Sequence, residues 1–509
     1  MIIQEEFFTM RDGVRLYTRM VLPKETGKFP VVFIRNPYDE PRNGEPYPLE
    51  NYENDLFIKN GYAIVHQHVR GSGDSEGEMR PYREREDGLD TLEIIRSKPF
   101  YNGEIYVTGS SYLATVHLCY LGTNPYDVKA AALSVQRDNM FPWRYYNGMV
   151  RGFVSFDWYY KRIKRNYPVL MDYKDAMYRP YEYMMERVIG KNLPDFTAML
   201  MNDTYSAYWQ TQDNDHVADV LEIPVLLSEG WYDFYTEGMF SMWERLPEKT
   251  KAKSAMVVGP WGHATKVANA EYEFPNGNLP DDYIVEYFNS VRNNTPYKYL
   301  ELGKVNYYSV CGDYWTTATP SDKSMKLYIN SDGTLSDSVR SKGEIRYTYD
   351  PDKLLNYYKF DNIFKCPPKN TTDGVLSFES EPVAEDTHFY GKIHWNMKVK
   401  SDCEDTAFFM RVYFVEDGVA YNLTEAATSL SYIKSDYKAG EECLVSISTA
   451  PVGFTLKAGN AIRVDISSHS DLYTPHSNTR EHWAKVIDVK IAENTVICDE
   501  NAYITLPLK

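Results

Sequence analysis

The chain lacks the features that mark membrane, secreted or nucleic-acid-binding proteins. No apolar run approaches the roughly 18 residues a spanning helix needs, and the composition, 43% hydrophobic and 25% charged, is ordinary for a globular protein. Cysteine is scarce: Cys119, Cys311, Cys366, Cys403, Cys443 and Cys498 are scattered, with no C-x-x-C pair. Neither a disulfide framework nor a zinc site is expected. Basic residues are outnumbered, 55 Lys and Arg against 72 Asp and Glu, for a net charge of −17. Such a surface repels phosphates, which argues against nucleic acid and membrane partners. The opening MIIQEEFFTMRDGVRLYT has Glu5 and Glu6 where an export leader has a basic start and an apolar run. A cytoplasmic protein is expected, with no internal repeat and no low-complexity linker.

Tyrosine is in excess, at 44 of 509 residues, and its expected place is on sheet faces with the hydroxyl in water. A chain of 509 residues exceeds one core, so two or three domains are expected. From residue 29 to about 135, β-rich runs such as KFPVVFIRNPY, GYAIVHQHV and GEIYVTGSSY alternate with helix-like stretches. That alternation predicts βαβ units and a parallel sheet between helices. Long aromatic and basic stretches of helical spacing follow, and then IPVLLSEGWYDF and KSAMVVGPWGH resume the first pattern. Beyond about residue 320, short alternating strands are broken by Gly, Asn and Asp turns, the texture of a sandwich or jelly roll. The predicted organisation is an α/β domain in two parts, 1–135 and 223–320, interrupted by a helical cap at 136–222 and followed by a β-sandwich (jelly-roll) domain at 321–509.

EIYVTGSSYLATVHLCYL, residues 104–121, passes from strand to helix at Gly109-Ser110-Ser111. A strand ending in Gly-x-Ser and turning at once into a helix is the pattern of a nucleophile elbow, which exposes a serine hydroxyl at the sheet edge and offers a backbone N–H to an oxyanion. Ser111 holds the nucleophile position and Ser110 the variable one. Leu113 stands where G-x-S-x-G has its second glycine. The competing reading is a plain turn in which a serine caps the helix.

A serine hydroxyl needs a base, and the base needs a carboxylate to hold its tautomer. Asp233, in GWYDF, and His263, in GPWGH, each follow an apolar strand-like run. They fall in the order Ser, Asp, His, on loops at the same sheet edge, where open α/β sheets build their sites. Of ten histidines, His263 alone has this position in the returning half of the first domain.

With GSSYLA, MRDGVRLYTRMVLP, RNPYD, VRGSGDSEGE, NDTYSAYWQTQD and FTLKAGNAIRVDISSHS in view, the chain resembles the cocaine esterase / X-Pro dipeptidyl-peptidase (CocE/NonD) group of α/β-hydrolase serine hydrolases over nearly its whole length. The elbow of that group reads Gly-x-Ser-Tyr-x-Gly, which accounts for Leu113. The resemblance implies Ser111 as nucleophile, His263 as general base and acid, and Asp233 as the residue orienting the imidazole. It also implies Tyr38 Oη and the Tyr112 N–H as oxyanion donors, and a small ester, amide or short peptide as substrate. No cofactor and no metal are expected. A homodimer stays open.

Two positions depart from the family pattern. Ala114 stands where glycine is usual. His68 stands where Asp is common, so an ion pair to Arg70 or a neighbour is expected to be missing. His66 and His68 share a strand face, read as a structural pair and not as metal ligands. The large peptidases of the group carry an extra N-terminal domain, whereas here the first hydrolase strand comes within about ten residues of Met1; a compact esterase or acylase is expected. The basic run KRIKRNY reads as a solvated helix face, with selection of an acidic acyl group as the alternative. Asp39, Glu40 and Glu237 lie near the catalytic loops in sequence and could hold a substrate amine, as an X-Pro dipeptidyl aminopeptidase or α-amino-acid ester hydrolase needs. A non-catalytic ligand-binding protein on a hydrolase scaffold, and a carbohydrate-binding role for the carboxyl domain, are the readings of other classes.

Overall fold

A computed structural model of the chain describes residues 2–38, 52–163, 167–268, 270–319, 321–353 and 362–509. Among these residues one mixed sheet runs, in spatial order, Ile2–Thr9, Arg15–Leu22, Ala63–His68, Phe29–Asn36, Tyr101–Ser110, Val128–Ser134, Val225–Gly230, Ala255–Gly259, Val305–Ser309 and Tyr314–Thr317. From Ala63–His68 to Val305–Ser309 every pairing is parallel; the opening hairpin and the last strand are antiparallel additions.

Parallel strands need both faces covered. Along Phe29–Asn36, Val31 and Phe33 enter the core that also holds Leu92, Ile95, Ala114 and Leu118. Val32 and Ile34 point the other way, into the core with Phe57, Tyr287 and Phe288. The helices Arg85–Ser97, Tyr112–Leu121 and Thr236–Arg245 therefore cover one face, and Tyr283–Asn293 the other. This is the α/β-hydrolase fold, with an all-β carboxyl domain.

Between the strands Val128–Ser134 and Val225–Gly230 the chain makes helices Phe141–Arg144, Gly152–Ile163, Met184–Ile189, Pro194–Met201, Ala207–Gln210 and His216–Val220. Their buried Trp143, Phe156, Met184, Phe196 and Trp209 form one apolar cluster with Tyr82, Tyr112 and Val116. The inserted helices are thus packed against the elbow helix.

In the carboxyl domain the long strands Thr387–Ser401 and Cys443–Leu456 pair antiparallel, with a register shift between Lys392 and His394. Thr387–Ser401 pairs on its other edge with Tyr503–Pro507 and Ala492–Cys498. The domain joins the first sheet without a break in packing. Val310 N–H donates to the Gly453 carbonyl at 3.0 Å, the rings of Tyr307 and Tyr390 stack at 4.7 Å, and the hydroxyls of Ser309 and Thr455 lie 2.8 Å apart.

The tyrosines correct the expectation of wet hydroxyls. Tyr62, Tyr106, Tyr120, Tyr287, Tyr307, Tyr308 and Tyr413 are among the largest fully buried side chains. Several hydroxyls find partners inside, as where Tyr62 donates to Asn289 Oδ1, Tyr287 to the Lys253 carbonyl and Tyr297 to the Tyr283 carbonyl. A ring core with a bonded polar tip suits a large interior. All six cysteines are free thiols. No helix among the described residues is long and apolar enough to cross a membrane.

Candidate active site

Strand Tyr101–Ser110 delivers the chain to Ser111, whose φ of 58° and ψ of −128° are an unfavourable combination for a residue with a side chain. The turn is held at both ends. Ser111 N–H donates to the Ser134 carbonyl at 2.8 Å, and the Ser111 carbonyl accepts from the N–H groups of Ala114 and Thr115 at 2.9 and 3.1 Å. Gly109 makes the turn sterically possible, since a Cβ there would lie 2.4 Å from the Leu113 carbonyl. The helix that follows, Tyr112–Leu121, is buried along its whole length. Ala114 lies in that core with no exposure, so its methyl fills interior space.

Ser111 occupies the N-cap position but makes no capping hydrogen bond. Its Oγ lies instead 2.8 Å from His263 Nε2. On the other side of the ring, His263 Nδ1 lies 2.6 Å from Asp233 Oδ2. The carboxylate side chain is fully buried and the imidazole 24% exposed, so the acid is screened while the base faces the opening. An ionised carboxylate only accepts; Nδ1 therefore carries the proton and Nε2 accepts from the serine hydroxyl. The second oxygen, Asp233 Oδ1, accepts the Tyr235 N–H at 2.6 Å, which fixes the carboxylate plane.

Tyr38 closes the constellation. Its Oη is 3.3 Å from Ser111 Oγ, and the Tyr112 N–H points to Tyr38 Oη at 3.4 Å. Two donors from different elements thus converge beside the serine. The structure brings together all five residues singled out in the sequence: Tyr38, Ser111, Tyr112, Asp233 and His263.

Phe234 and Glu84, which carried no sequence signal, and Arg162, from the run KRIKRNY, complete the surroundings of the site. Phe234 stacks on His263 with centroids 4.5 Å apart and planes at 20°. Arg162 lies over the rings of both Tyr38 and Trp158 at 4.5 Å. It belongs to the run KRIKRNY, so at this residue the solvated-face reading is replaced by a cation covering an aromatic ring; Lys161 pairs outward with Asp157, and residues 164–166 lie outside the described set. Beneath the elbow, the Tyr112 hydroxyl donates to Glu84 Oε1 and accepts the Tyr82 N–H. Burial drives the Glu84 carboxyl above its ordinary range, and the Tyr112 hydrogen bond opposes that shift.

Three expectations concern charged residues. Arg70 has its acids despite His68, pairing with Asp87 at 2.7 Å and Asp12 at 2.8 Å. His68 Nδ1 accepts the Asp74 N–H at 3.1 Å, and among the described residues no three His, Cys, Asp or Glu side chains converge as metal ligands. Asp39 and Glu40 lie outside the described residues. Glu237 lines two clefts, one with Asp233 and Phe234 and one between the cap and the carboxyl domain, and neither lining includes Ser111 or His263.

A nucleophile elbow, a Ser–His–Asp chain of hydrogen bonds whose members follow in the sequence order Ser, Asp, His, and a covered parallel sheet define a serine hydrolase of the α/β-hydrolase class. Residues 12–265 match the X-Pro dipeptidyl-peptidase (S15 family) model, and residues 289–503 match the X-Pro dipeptidyl-peptidase C-terminal non-catalytic domain. The chain belongs to this family, the CocE/NonD group included. It is 25% identical over 535 residues to the cocaine esterase of Rhodococcus sp. (strain MB1 Bresler), which takes in 92% of this chain and 91% of that protein. Its fold is similar to that of an aminopeptidase from the marine sediment archaeon Thaumarchaeota archaeon, with a TM-score of 0.86 at 19% identity over 100% of this chain and 96% of that one. An α-amino acid ester hydrolase matches with the same TM-score of 0.86 at 21% identity, over 100% of this chain and 96% of that one.

Proposed function

We propose that the chain hydrolyses esters or amides of small acyl groups through an acyl-enzyme formed on Ser111. The observation that carries this reading is the hydrogen-bonded series Ser111 Oγ, His263 Nε2, His263 Nδ1, Asp233 Oδ2, at 2.8 and 2.6 Å. Ser111 Oγ attacks the carbonyl carbon as Nε2 takes its proton, and the imidazolium that forms is held by the buried Asp233. The carbonyl oxygen gains charge between the Tyr38 hydroxyl and the Tyr112 N–H, which exchange their mutual contact for the oxyanion. His263 then gives its proton to the leaving oxygen or nitrogen. Water activated by the same nitrogen attacks the acyl carbon, and Ser111 Oγ leaves with the proton.

Esters and acyl amides come before amino-terminal peptides here, because the substrate reading follows the relative that is similar in sequence over most of its length, a cocaine esterase. The second reading, an X-Pro dipeptidyl aminopeptidase or amino-acid ester hydrolase, draws on the family model and on the two fold relatives. It requires an acid near the triad to hold the amine. Glu237 lines one cleft with Asp233 and Phe234 and another with Arg137, neither of them lined by Ser111 or His263, so it stands beside the acid of the triad and not beside the nucleophile. We retain the division into a hydrolase domain at 1–135 and 223–320, a cap at 136–222 and a β domain at 321–509 as the working frame for variants.

A fluorophosphonate probe followed by peptide mass mapping tests the assignment. Modification of Ser111 is expected; modification of Ser110, or none, overturns it. A panel of aryl esters, acyl amides and X-Pro anilides then ranks the substrate classes by kcat/KM.

A further inference from the structure

Arg137 is a buried arginine without a hydrogen-bond partner. It is 6% exposed, and its guanidinium makes no hydrogen bond or ion pair among the described residues. Its Nε is sealed inside. The two terminal nitrogens are equally without partners, yet they are not among the sealed atoms, so they reach open space. That space is a cleft of about 840 Å³ between the cap and the carboxyl domain, which Arg137 helps to line. Burying a guanidinium without an acceptor is costly, and the group is retained where something it binds offsets the cost.

The same cleft presents Glu237, an exposed carboxylate that also makes no hydrogen bond or ion pair among the described residues. Burial pulls the Arg137 guanidinium below its ordinary range, and Glu237 is the largest charge acting against that shift. The two are thus near enough to feel each other but do not form a salt bridge. Between them and around them stand Phe141, Tyr145, Tyr146 and Trp483. Arg480 in the same cleft is engaged by the Ser435 and Tyr437 carbonyls, and Asp405 and Asp203 face His476 and His482; Arg137, the exposed carboxylates Glu237 and Glu481 and the aromatic wall are left to match a small zwitterion with an apolar side chain. The fork of Arg137 suits a carboxylate, and Glu237 suits an ammonium group. The volume falls within the range of small-molecule sites.

We propose that this cleft is a second binding site, separate from the triad, for a free amino acid or short peptide with an apolar side chain. Arg137 takes the α-carboxylate and Glu237 the α-ammonium. The arginine is packed against the helix that follows the Asp233 loop, because a Cβ on Gly238 would lie 2.7 Å from Arg137 Cβ and 3.0 Å from its Nε. The site is therefore built on the segment that begins at Asp233 and enters helix Thr236–Arg245.

Calorimetric titration of the full chain with L-phenylalanine tests the proposal, after Ser111 has been capped with a bulky fluorophosphonate so that the triad pocket is filled. Saturable binding to the capped protein is expected, at least tenfold weaker for L-phenylalaninamide, which lacks the carboxylate, and several-fold weaker for N-acetyl-L-phenylalanine, which lacks the charged amine. Arg137→Gln is expected to weaken binding at least tenfold. The exposed substitution Glu237→Gln, which carries little folding risk, is expected to weaken it several-fold and to abolish the preference for the free amine. Phe-Gly in place of the amino acid separates a peptide site from an amino-acid site. Binding that disappears on capping, binding indifferent to both substitutions, or no binding up to millimolar ligand overturns the proposal.

Discussion

The Phe234 ring lies flat against the His263 imidazole, 4.5 Å between centroids and 20° between planes. Phe234 is itself held edge-on by Tyr235 at 4.6 Å and touches Trp143 at 5.7 Å. The base is thus oriented on its edge by Asp233 and on its face by an aromatic ring that the cap supports. A stacked pair of this kind contributes about 0.5–1.5 kcal/mol beyond buried area. Phe234→Ala is expected to lower kcat by roughly 3- to 10-fold, with Phe234→Tyr near normal. An unchanged kcat and an unchanged pH profile in the alanine variant would assign the ring to packing alone.

Tyr38→Phe removes one of the two donors that meet beside Ser111. A loss of about 10² to 10³ in kcat with little change in KM is expected, because the oxyanion exists only after attack. Steady-state kinetics on an aryl ester decides it. A rise in KM at constant kcat would make Tyr38 a ground-state contact.

The Tyr112 side chain and backbone have separate duties. Its hydroxyl joins Glu84 to the Tyr82 N–H, while its own N–H faces Tyr38 Oη. Tyr112→Phe leaves a buried carboxyl and a buried N–H without that partner, a cost of about 1–3 kcal/mol each. A lower urea midpoint is expected, with kcat in the folded enzyme changed by less than about tenfold. Near wild-type stability would show that Glu84 finds a different donor.

His117 gives a pH signature in stability. Burial, against Phe33 and beside the Tyr120 hydroxyl at 2.6 Å, lowers its pKa from 6.5 to about 3. Between those values the unfolded chain binds a proton that the folded one refuses. The stabilising contribution of the neutral ring is therefore complete above about pH 6.5 and shrinks as pH falls, by about 1.4 kcal/mol per unit. Asp138 has the opposite sign, since burial raises it to about 6 and its protonation favours the folded state as pH falls. Comparing wild type with His117→Gln cancels such terms. The wild-type advantage in urea unfolding is expected to narrow from pH 7 to pH 5, and a constant difference would place His117 in a polar, protonatable setting.

The parts of this molecule visible in the sequence were those that local pattern controls. Alternating strands and helices announced the doubly covered sheet, because Val31 to Ile34 must be apolar on both faces. Ser111, Asp233 and His263 could be singled out because each follows a strand, and strand ends in such a sheet share one edge. Tyr38 was legible only through family resemblance, being one of 44 tyrosines. Phe234 and Glu84 carried no signal, and the run KRIKRNY does not reveal that Arg162 covers aromatic rings, since these contacts depend on how the cap and the helix Arg85–Ser97 pack. Glu237 was grouped with the catalytic loops by its nearness in sequence to Asp233. The helix that starts at Thr236 brings it to clefts that it shares with Asp233 and with Arg137, neither of them lined by Ser111 or His263. The tyrosines were read as wet because one residue's polar tip says nothing of the partner waiting for it in the core.

The joint at Trp231 reaches further than its single hydrogen bond suggests. The strand that ends at Gly230 places Trp231 against Tyr308 and Tyr307 of the same sheet and close to Gly453 of the carboxyl domain, where a Cβ would lie 3.0 Å from the indole, and the chain reaches Asp233 two residues later. The loop bearing Asp233 therefore rests on the hydrolase sheet and on the β domain together. Thermal loss of the β domain and loss of turnover should coincide in a single transition, and an isolated hydrolase half should be a poor catalyst even with every triad residue present. The term non-catalytic, apt for the chemistry of that domain, undersells its part in keeping the acid in register with the base.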